Sequence, residues 1–197
     1  MEIWDLLDKD RKPLGMTHPR GRQFPMPPHT YHMVVSVFTV DNSNRLLLTL
    51  RDPRKGMYPN YWEFTGGSGV AEEDSLTAAH RELVEETGID CPSEELVFLC
   101  SLREPSAFMD CYLCRLDKAG EDVTVTLQDG ETVDSKWVTF CEFETMIHKG
   151  LIPPPCAMRY GFVKAKLMEL VGDDAWLQPD AEEVSTLETR PKEDAHE

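Results

Sequence analysis

No run of apolar residues in this chain approaches the roughly twenty needed to cross a bilayer, which excludes a membrane-spanning helix. The opening Met1-Glu2-Ile3-Trp4-Asp5 lacks the basic and apolar regions of a secretory leader, so a cytoplasmic protein is expected. Basic residues are scarce, 20 Lys and Arg against 36 Asp and Glu, for a net charge of -16. Such a surface repels phosphate backbones and argues against a polynucleotide partner. It still admits a small anion whose charge is met locally. Much of the excess lies between Gly172 and Glu197, which carry nine acidic and two basic residues and read as a solvated acidic tail; Trp176 and Leu177 are its candidates for docking on the domain. The six cysteines, at 91, 100, 111, 114, 141 and 156, lack paired metal-ligand spacing, so reduced, packed thiols are expected. Cys111 and Cys114 lie three apart in a strand-like segment and should point to opposite faces.

At 197 residues and 41% apolar content the chain can bury one core with embellishments. Internal repeats are absent, and the order of segments is mixed α/β. Residues 1–30 read as a hairpin and loop packing on the domain, 31–171 as the domain, and 172–197 as the tail. Ile3 to Leu7 and Leu14 to His18 flank a turn-rich stretch and form the hairpin. Tyr31 to Val40 and Leu46 to Arg51 are buried-looking strands around the turn Asp41-Asn-Ser-Asn44. Further strands are expected near Leu96 to Leu102, Phe108 to Leu116, Val123 to Leu127 and Asp134 to Phe140. Helices follow near Glu142 to Lys149 and Met158 to Leu170, the second with Phe162, Leu167 and Leu170 apolar.

The chemistry concentrates between Gly67 and Ile89. Asp74 or Ser75 can cap a helix over Ser75 to Thr87, Ala78 and Ala79 favour it, and Gly88 stops it. Leu76, Ala79 and Leu83 make a core-facing stripe. Helical spacing gathers Glu82, Glu85 and Glu86 on an adjoining face, where Ala78 leaves room. Three carboxylates so close repel one another unless a cation sits among them, and hard oxygen ligands suit Mg2+ or Mn2+. Glu85 and Glu86 read as exposed positions, so glutamine at either should lower turnover by orders of magnitude and leave the fold intact. Arg81 can hold a carboxylate by a two-pronged hydrogen bond, with Glu73 its expected partner. The loop Thr65-Gly66-Gly67-Ser68-Gly69 would let backbone N–H groups, those of Gly66 and Gly67 above all, approach a phosphate at a helix N-terminus. The pieces fit hydrolysis of a small-molecule diphosphate, with water attacking phosphorus.

Gly67, Glu73, Arg81, Glu82, Leu83, Glu85, Glu86, Gly88 and Ile89 fill every fixed position of the Nudix box, and the chain resembles the Nudix hydrolases. The resemblance implies a mixed β-sheet sandwiched between helices, an α/β/α Nudix fold. It implies Mg2+ or Mn2+ as cofactor and Glu82, Glu85 and Glu86 as its ligands. It also implies an additional glutamate ahead of a tryptophan, for which Glu131, before Trp137, is the candidate as metal ligand or base; a solvated turn at Asp129-Gly130 is the alternative. Arg20, Arg22, Arg51, Arg54 and Lys55 are candidate phosphate contacts, Arg51 foremost. Tyr58, Trp62 and Phe108 either line a pocket for the organic group or fill core.

A narrower resemblance lies at the start. Glu2-Ile3-Trp4-Asp5-Leu6-Leu7-Asp8, Gly15, Thr17-His18, Arg20-Gly21 and Tyr31-His32 look like the isopentenyl-diphosphate isomerase branch of that family. The isomerase pattern has a cysteine after the tryptophan and then a histidine. Here the cysteine position falls at about Gly67 and no histidine follows, so the chain reads as a hydrolase on an isomerase-like scaffold. His18 and His32 read as hydrogen-bonded packing residues and stay outside the metal set. The alternatives are an isomerase-like enzyme and a non-catalytic, ligand-sensing Nudix module. The hairpin and the Arg20 to Pro28 loop are candidate contacts for a homodimer.

Overall fold

Apolar side chains alternate between two faces along the central strands, and helices cover both faces. The structure, a computed structural model, describes residues 2–21 and 23–176. Strands β1 (Ile3–Leu7) and β2 (Pro13–Pro19) form a separate antiparallel pair. Strands β3 (His32–Val40), β4 (Leu46–Arg51), β5 (Trp62–Glu63), β6 (Thr65–Ser68), β7 (Val97–Arg103), β8 (Ala107–Arg115) and β9 (Thr132–Val138) form a seven-stranded mixed sheet. Its main path runs β5-β4-β3-β8-β7, with β6 against β3 and β9 against β4. The parallel pair β3 and β8 is its spine, in register from His32 and Ala107 to Val40 and Arg115.

The odd residues Val35 and Val37 of β3 face helix α1 (Ser75–Thr87), while the even residues Phe38 and Val40 face α2 (Phe140–His148) and α3 (Pro154–Val171). On β8 the same alternation sends Cys114 toward α1 and Cys111 toward α2 and α3. The result is the α/β/α sandwich, and all six cysteines are free thiols. No helix among the described residues is long and apolar enough to cross a membrane.

Several elements depart from the sequence reading. Thr65 to Ser68, expected as a loop, is strand β6, antiparallel to β3 from Val34 and Ser68 to Val37 and Thr65. Residues Val123 to Leu127, expected as a strand, follow a short 3-10 turn without joining the sheet, and the Thr126 N–H donates to the Thr87 carbonyl (2.7 Å). Helix α2 starts at Phe140 because Thr139 and Glu142 form a reciprocal capping box. Helix α3 starts at Pro154, where proline's missing N–H costs nothing. Its buried stripe is Cys156, Tyr160, Val163, Leu167 and Val171, which leaves Phe162 63% exposed instead of in the core.

The hairpin docks through reciprocal Leu7 and Tyr31 backbone hydrogen bonds (2.8 and 2.9 Å) and a Trp4 ring stacked on His32 (3.9 Å between centroids). Arg11 reaches from its turn to the buried Asp110. Packing continues past residue 171, since Trp176 stacks on Phe140 (4.0 Å) and donates to the Tyr160 hydroxyl (2.8 Å). Leu177 and the acidic residues after it lie outside the described residues.

Candidate active site

Helix α1 is fixed at both ends. The Asp74 carboxylate accepts the Thr77 N–H (2.8 Å), and Gly88 takes the left-handed turn (φ 70°) that a side chain would resist. Ala79 and Leu83 are fully buried against the sheet and Leu76 partly so. Ala78, one turn before Glu82, is also buried in that core. Glu85 is the outward member of the acidic trio, its side chain 45% exposed, whereas Glu82 is 13% and Glu86 8% exposed. Glu86, expected at the surface, is therefore buried, and Glu82 beside it is only partly exposed, because the glycine strand β6 lies over them.

Arg81 ties this face together. Its Nε and Nη2 donate to the two oxygens of Glu73 (2.8 and 3.0 Å), the fork that guanidinium geometry matches and an ammonium cannot. Its Nη1 donates to Glu82 (2.9 Å) and Glu85 (3.0 Å), and Nη2 also reaches the Ser68 carbonyl (3.0 Å). Burial works to raise the Glu73 pKa, but the Arg81 fork and the Val70 N–H outweigh it and hold Glu73 below the usual carboxylate range. For Glu82 the balance is opposite: burial pushes its pKa up despite Arg81. Glu86 is pushed well up, by burial first and then by the neighbouring charges of Glu63 and Glu82.

The two glycines of β6 permit close approach. A β-carbon on Gly66 would overlap the Val35 carbonyl oxygen, and one on Gly67 would overlap the carboxyl group of Glu82. The Gly66 N–H, expected to approach a phosphate, is engaged within the protein. Gly66 N–H donates to Glu86 (3.2 Å), β6 lies in the sheet ladder with β3, and the N-terminus of α1 is several residues away and already capped by Asp74.

Beside β6 lies a cavity of about 160 Å³ lined by Gly66, Gly67, Glu63 and Cys156 together with Arg20, Arg51 and Arg159. Arg51 pairs with Glu63 and donates from Nε to the Met57 carbonyl (3.1 Å). Arg159 forks onto Glu104 (2.8 and 3.1 Å). Burial raises the pKa of Glu63 and pushes the Cys156 thiol up to about 12. Sequence reasoning missed Glu63, Cys156 and Arg159. A lone acid between Trp62 and Phe64, and a cation three residues after Cys156 near the buried stripe of α3, were the available signals. Glu131 lies just ahead of β9, where its carboxylate pairs with Lys55 and its charge adds to the upward push on Glu86. His18 meets the Phe24 carbonyl (3.0 Å), and burial lowers His32 to about 4, a neutral ring stacked on Trp4. Trp62 and Phe108 are core, while Tyr58 packs edge-on to Tyr61.

Among the described residues, no three His, Cys, Asp or Glu side chains are arranged so that they could hold a metal ion as they stand. Arg81 instead neutralises part of the carboxylate charge. The donor types still suit a hard divalent cation: Glu86 is buried and Glu82 mostly so, the charge of Glu82 disfavours that of Glu86, and the missing side chain of Gly67 lets the Glu82 carboxyl group stand where it does.

A family model described as NUDIX domain matches residues 30–154. An uncharacterized Nudix hydrolase of Listeria monocytogenes is 34% identical over 157 residues, covering 78% of this chain and 89% of the relative. A prenyl-diphosphate phosphatase of Methanosarcina mazei is 27% identical over 68% of this chain and 78% of its own. An isopentenyl-diphosphate Delta-isomerase of Photorhabdus laumondii is 29% identical over 75% of this chain and 82% of its own. The crystal structure of DR0079 from Deinococcus radiodurans shares the fold, with a TM-score of 0.61 at 23% identity over 86% of this chain and 97% of that one. With the box on a braced helix, its carboxylates packed under a glycine strand, and the family model spanning most of the chain, this protein belongs to the NUDIX family and is a Nudix hydrolase.

Proposed function

We propose that the chain hydrolyses the diphosphate linkage of a nucleoside or other organic diphosphate, using Mg2+ or Mn2+, with water attacking phosphorus. The observation that carries this reading is the packing of Gly67 on Glu82: the position that would bear the isomerase thiol has no room even for a β-carbon while Glu82 keeps its place. Glu82, Glu85 and Glu86 would hold the cation, which when bound neutralises charge on the bridging and leaving oxygens. Arg81 keeps Glu82 and Glu85 in place and is itself fixed by Glu73. Arg20, Arg51 and Arg159 line the adjoining cavity with positive charge for the diphosphate. The attacking water needs a base, for which Glu86, the most buried of the three carboxylates, is one candidate. Glu131 is the other candidate, held by Lys55.

The isomerase relative and the resembling N-terminal segment favour a second reading, proton transfer at carbon, for which Cys156 beside Glu63 (4.0 Å) is the available thiol. One experiment separates the two. The protein is incubated with Mg2+ and candidate diphosphates, including isopentenyl diphosphate, in parallel in oxygen-18 water and in heavy water. Hydrolysis places labelled oxygen in the released phosphate terminus. Deuterated dimethylallyl diphosphate without phosphate release would establish the isomerase reading, and ligand binding without turnover the sensing module.

A further inference from the structure

We infer that Asp5, on the N-terminal hairpin, is a positioning residue for the carboxylate site, acting through a strained turn at Glu72; the inference rests on the metal-dependent reading above. The hairpin lies before the residues that match the family, yet it grips the segment joining β6 to α1. The Ile3 carbonyl accepts the Ala71 N–H (2.8 Å), and the Asp5 carboxylate accepts the Glu72 N–H (2.7 Å). Glu72 sits at φ 71°, a left-handed conformation that a glutamate rarely adopts and that persists only where its surroundings impose it.

The next residue is Glu73, whose carboxylate takes the Val70 N–H (3.0 Å) and both prongs of Arg81. Arg81 in turn holds Glu82. A continuous path therefore runs from Asp5 through the Glu72 amide to the carboxylate site. Asp5 is set on a rigid support, between Trp4, stacked on His32, and Leu6, which is buried. Without the Asp5 acceptor, Glu72 relaxes toward an ordinary conformation and swings the adjacent Glu73 out of register with Arg81.

The full-length protein tests this with Asp5→Ala, Asp5→Asn and the double variant Asp5→Ala/Glu72→Gly. Mn2+ affinity is read by calorimetry and amide exchange over residues 70–74 by mass spectrometry, with thermal melting as the control for folding. Asp5→Ala should weaken Mn2+ binding about tenfold and speed exchange in the turn. Asp5→Asn keeps an oxygen acceptor and should stay within about twofold of wild type. Glycine adopts the left-handed turn at no steric cost, so Glu72→Gly should restore most of the affinity lost in Asp5→Ala. Wild-type Mn2+ affinity in Asp5→Ala, or a loss that Glu72→Gly does not recover, would overturn the inference and leave Asp5 as a plain anchor of the hairpin. Wild-type protein that neither binds Mn2+ nor hydrolyses any diphosphate would sink the functional reading itself, and this inference with it.

Discussion

Replacing Gly67 with alanine adds one methyl group at the most crowded point of the site. The backbone there has an ordinary φ and lies in the β3–β6 ladder, so alanine is compatible with its conformation. Its β-carbon would overlap the carboxyl carbon and both oxygens of Glu82 by about 1 Å or more relative to an ordinary contact of about 3.5 Å. The obstructing group is the end of a flexible side chain, so Glu82 swings aside and the fold survives. The swing breaks the 2.9 Å contact with Arg81 and displaces one of the proposed ligands. Misplacement by about 1 Å in a catalytic constellation costs on the order of 100-fold in rate, or about 2.7 kcal/mol of barrier. Gly67→Ala should therefore lower kcat about 100-fold while the melting temperature shifts by less than about 4 °C. The neighbouring Gly66→Ala should do the reverse, because its β-carbon meets the immovable Val35 carbonyl and strains the sheet. Steady-state phosphate release and thermal melting on both variants make the comparison. Gly67→Ala turnover within about threefold of wild type would refute the argument that Glu82 must stay where glycine lets it stand.

Glu86→Gln should abolish most turnover yet stabilise the cation-free protein. Because the folded pKa of Glu86 is raised, its protonated form contributes stability that is lost as pH rises from about 4.5 through the folded value, and glutamine removes that loss; melting curves across pH 4 to 8 with and without Mg2+ check the sign. Arg81→Lys should fail to restore activity, since a point charge cannot span Glu73, Glu82 and Glu85 together; wild-type kcat/KM in that variant would reduce the arginine to surface cover. Arg11→Ala strands the buried Asp110 and should cost about 2–3 kcal/mol, discounted because Arg11 is partly exposed, lowering the melting temperature by about 4–12 °C. Burial alone would raise the Asp110 pKa, but Arg11, Ser101 and Ser75 outweigh it and hold the group low, so the difference between wild type and Arg11→Ala should shrink as pH falls below about 4.

Helix α1 was legible from end to end because its signals are local: an aspartate cap, an alanine pair, a terminal glycine. The hairpin and the paired strands β3 and β4 were legible through turn residues and apolar runs. The reading failed where tertiary contacts decide. Glycine-rich Thr65 to Ser68 has no strand propensity of its own and is a strand because β3 supplies the ladder. Helical spacing placed Glu82 and Glu86 on one face, but their burial depends on β6, which the spacing does not encode. Arg159 and Glu63 come together from segments nearly a hundred residues apart, and no local pattern announces such a meeting.

The parallel pairing of β3 with β8 also governs when the site can exist. His32 finds Ala107, and Val40 finds Arg115, only after every residue of the box, Gly67 to Ile89, has been made. Closing so long a loop is slow, and parallel pairing of distant segments is among the later events in folding. At about 5–20 residues per second, a ribosome finishes the box a second or more before it finishes the strand that completes the platform. Until then Glu82 and Glu86 are hydrated acids on an unsupported segment. On the metal-dependent reading proposed above, a divalent ion would find its carboxylates assembled only once the sheet has closed.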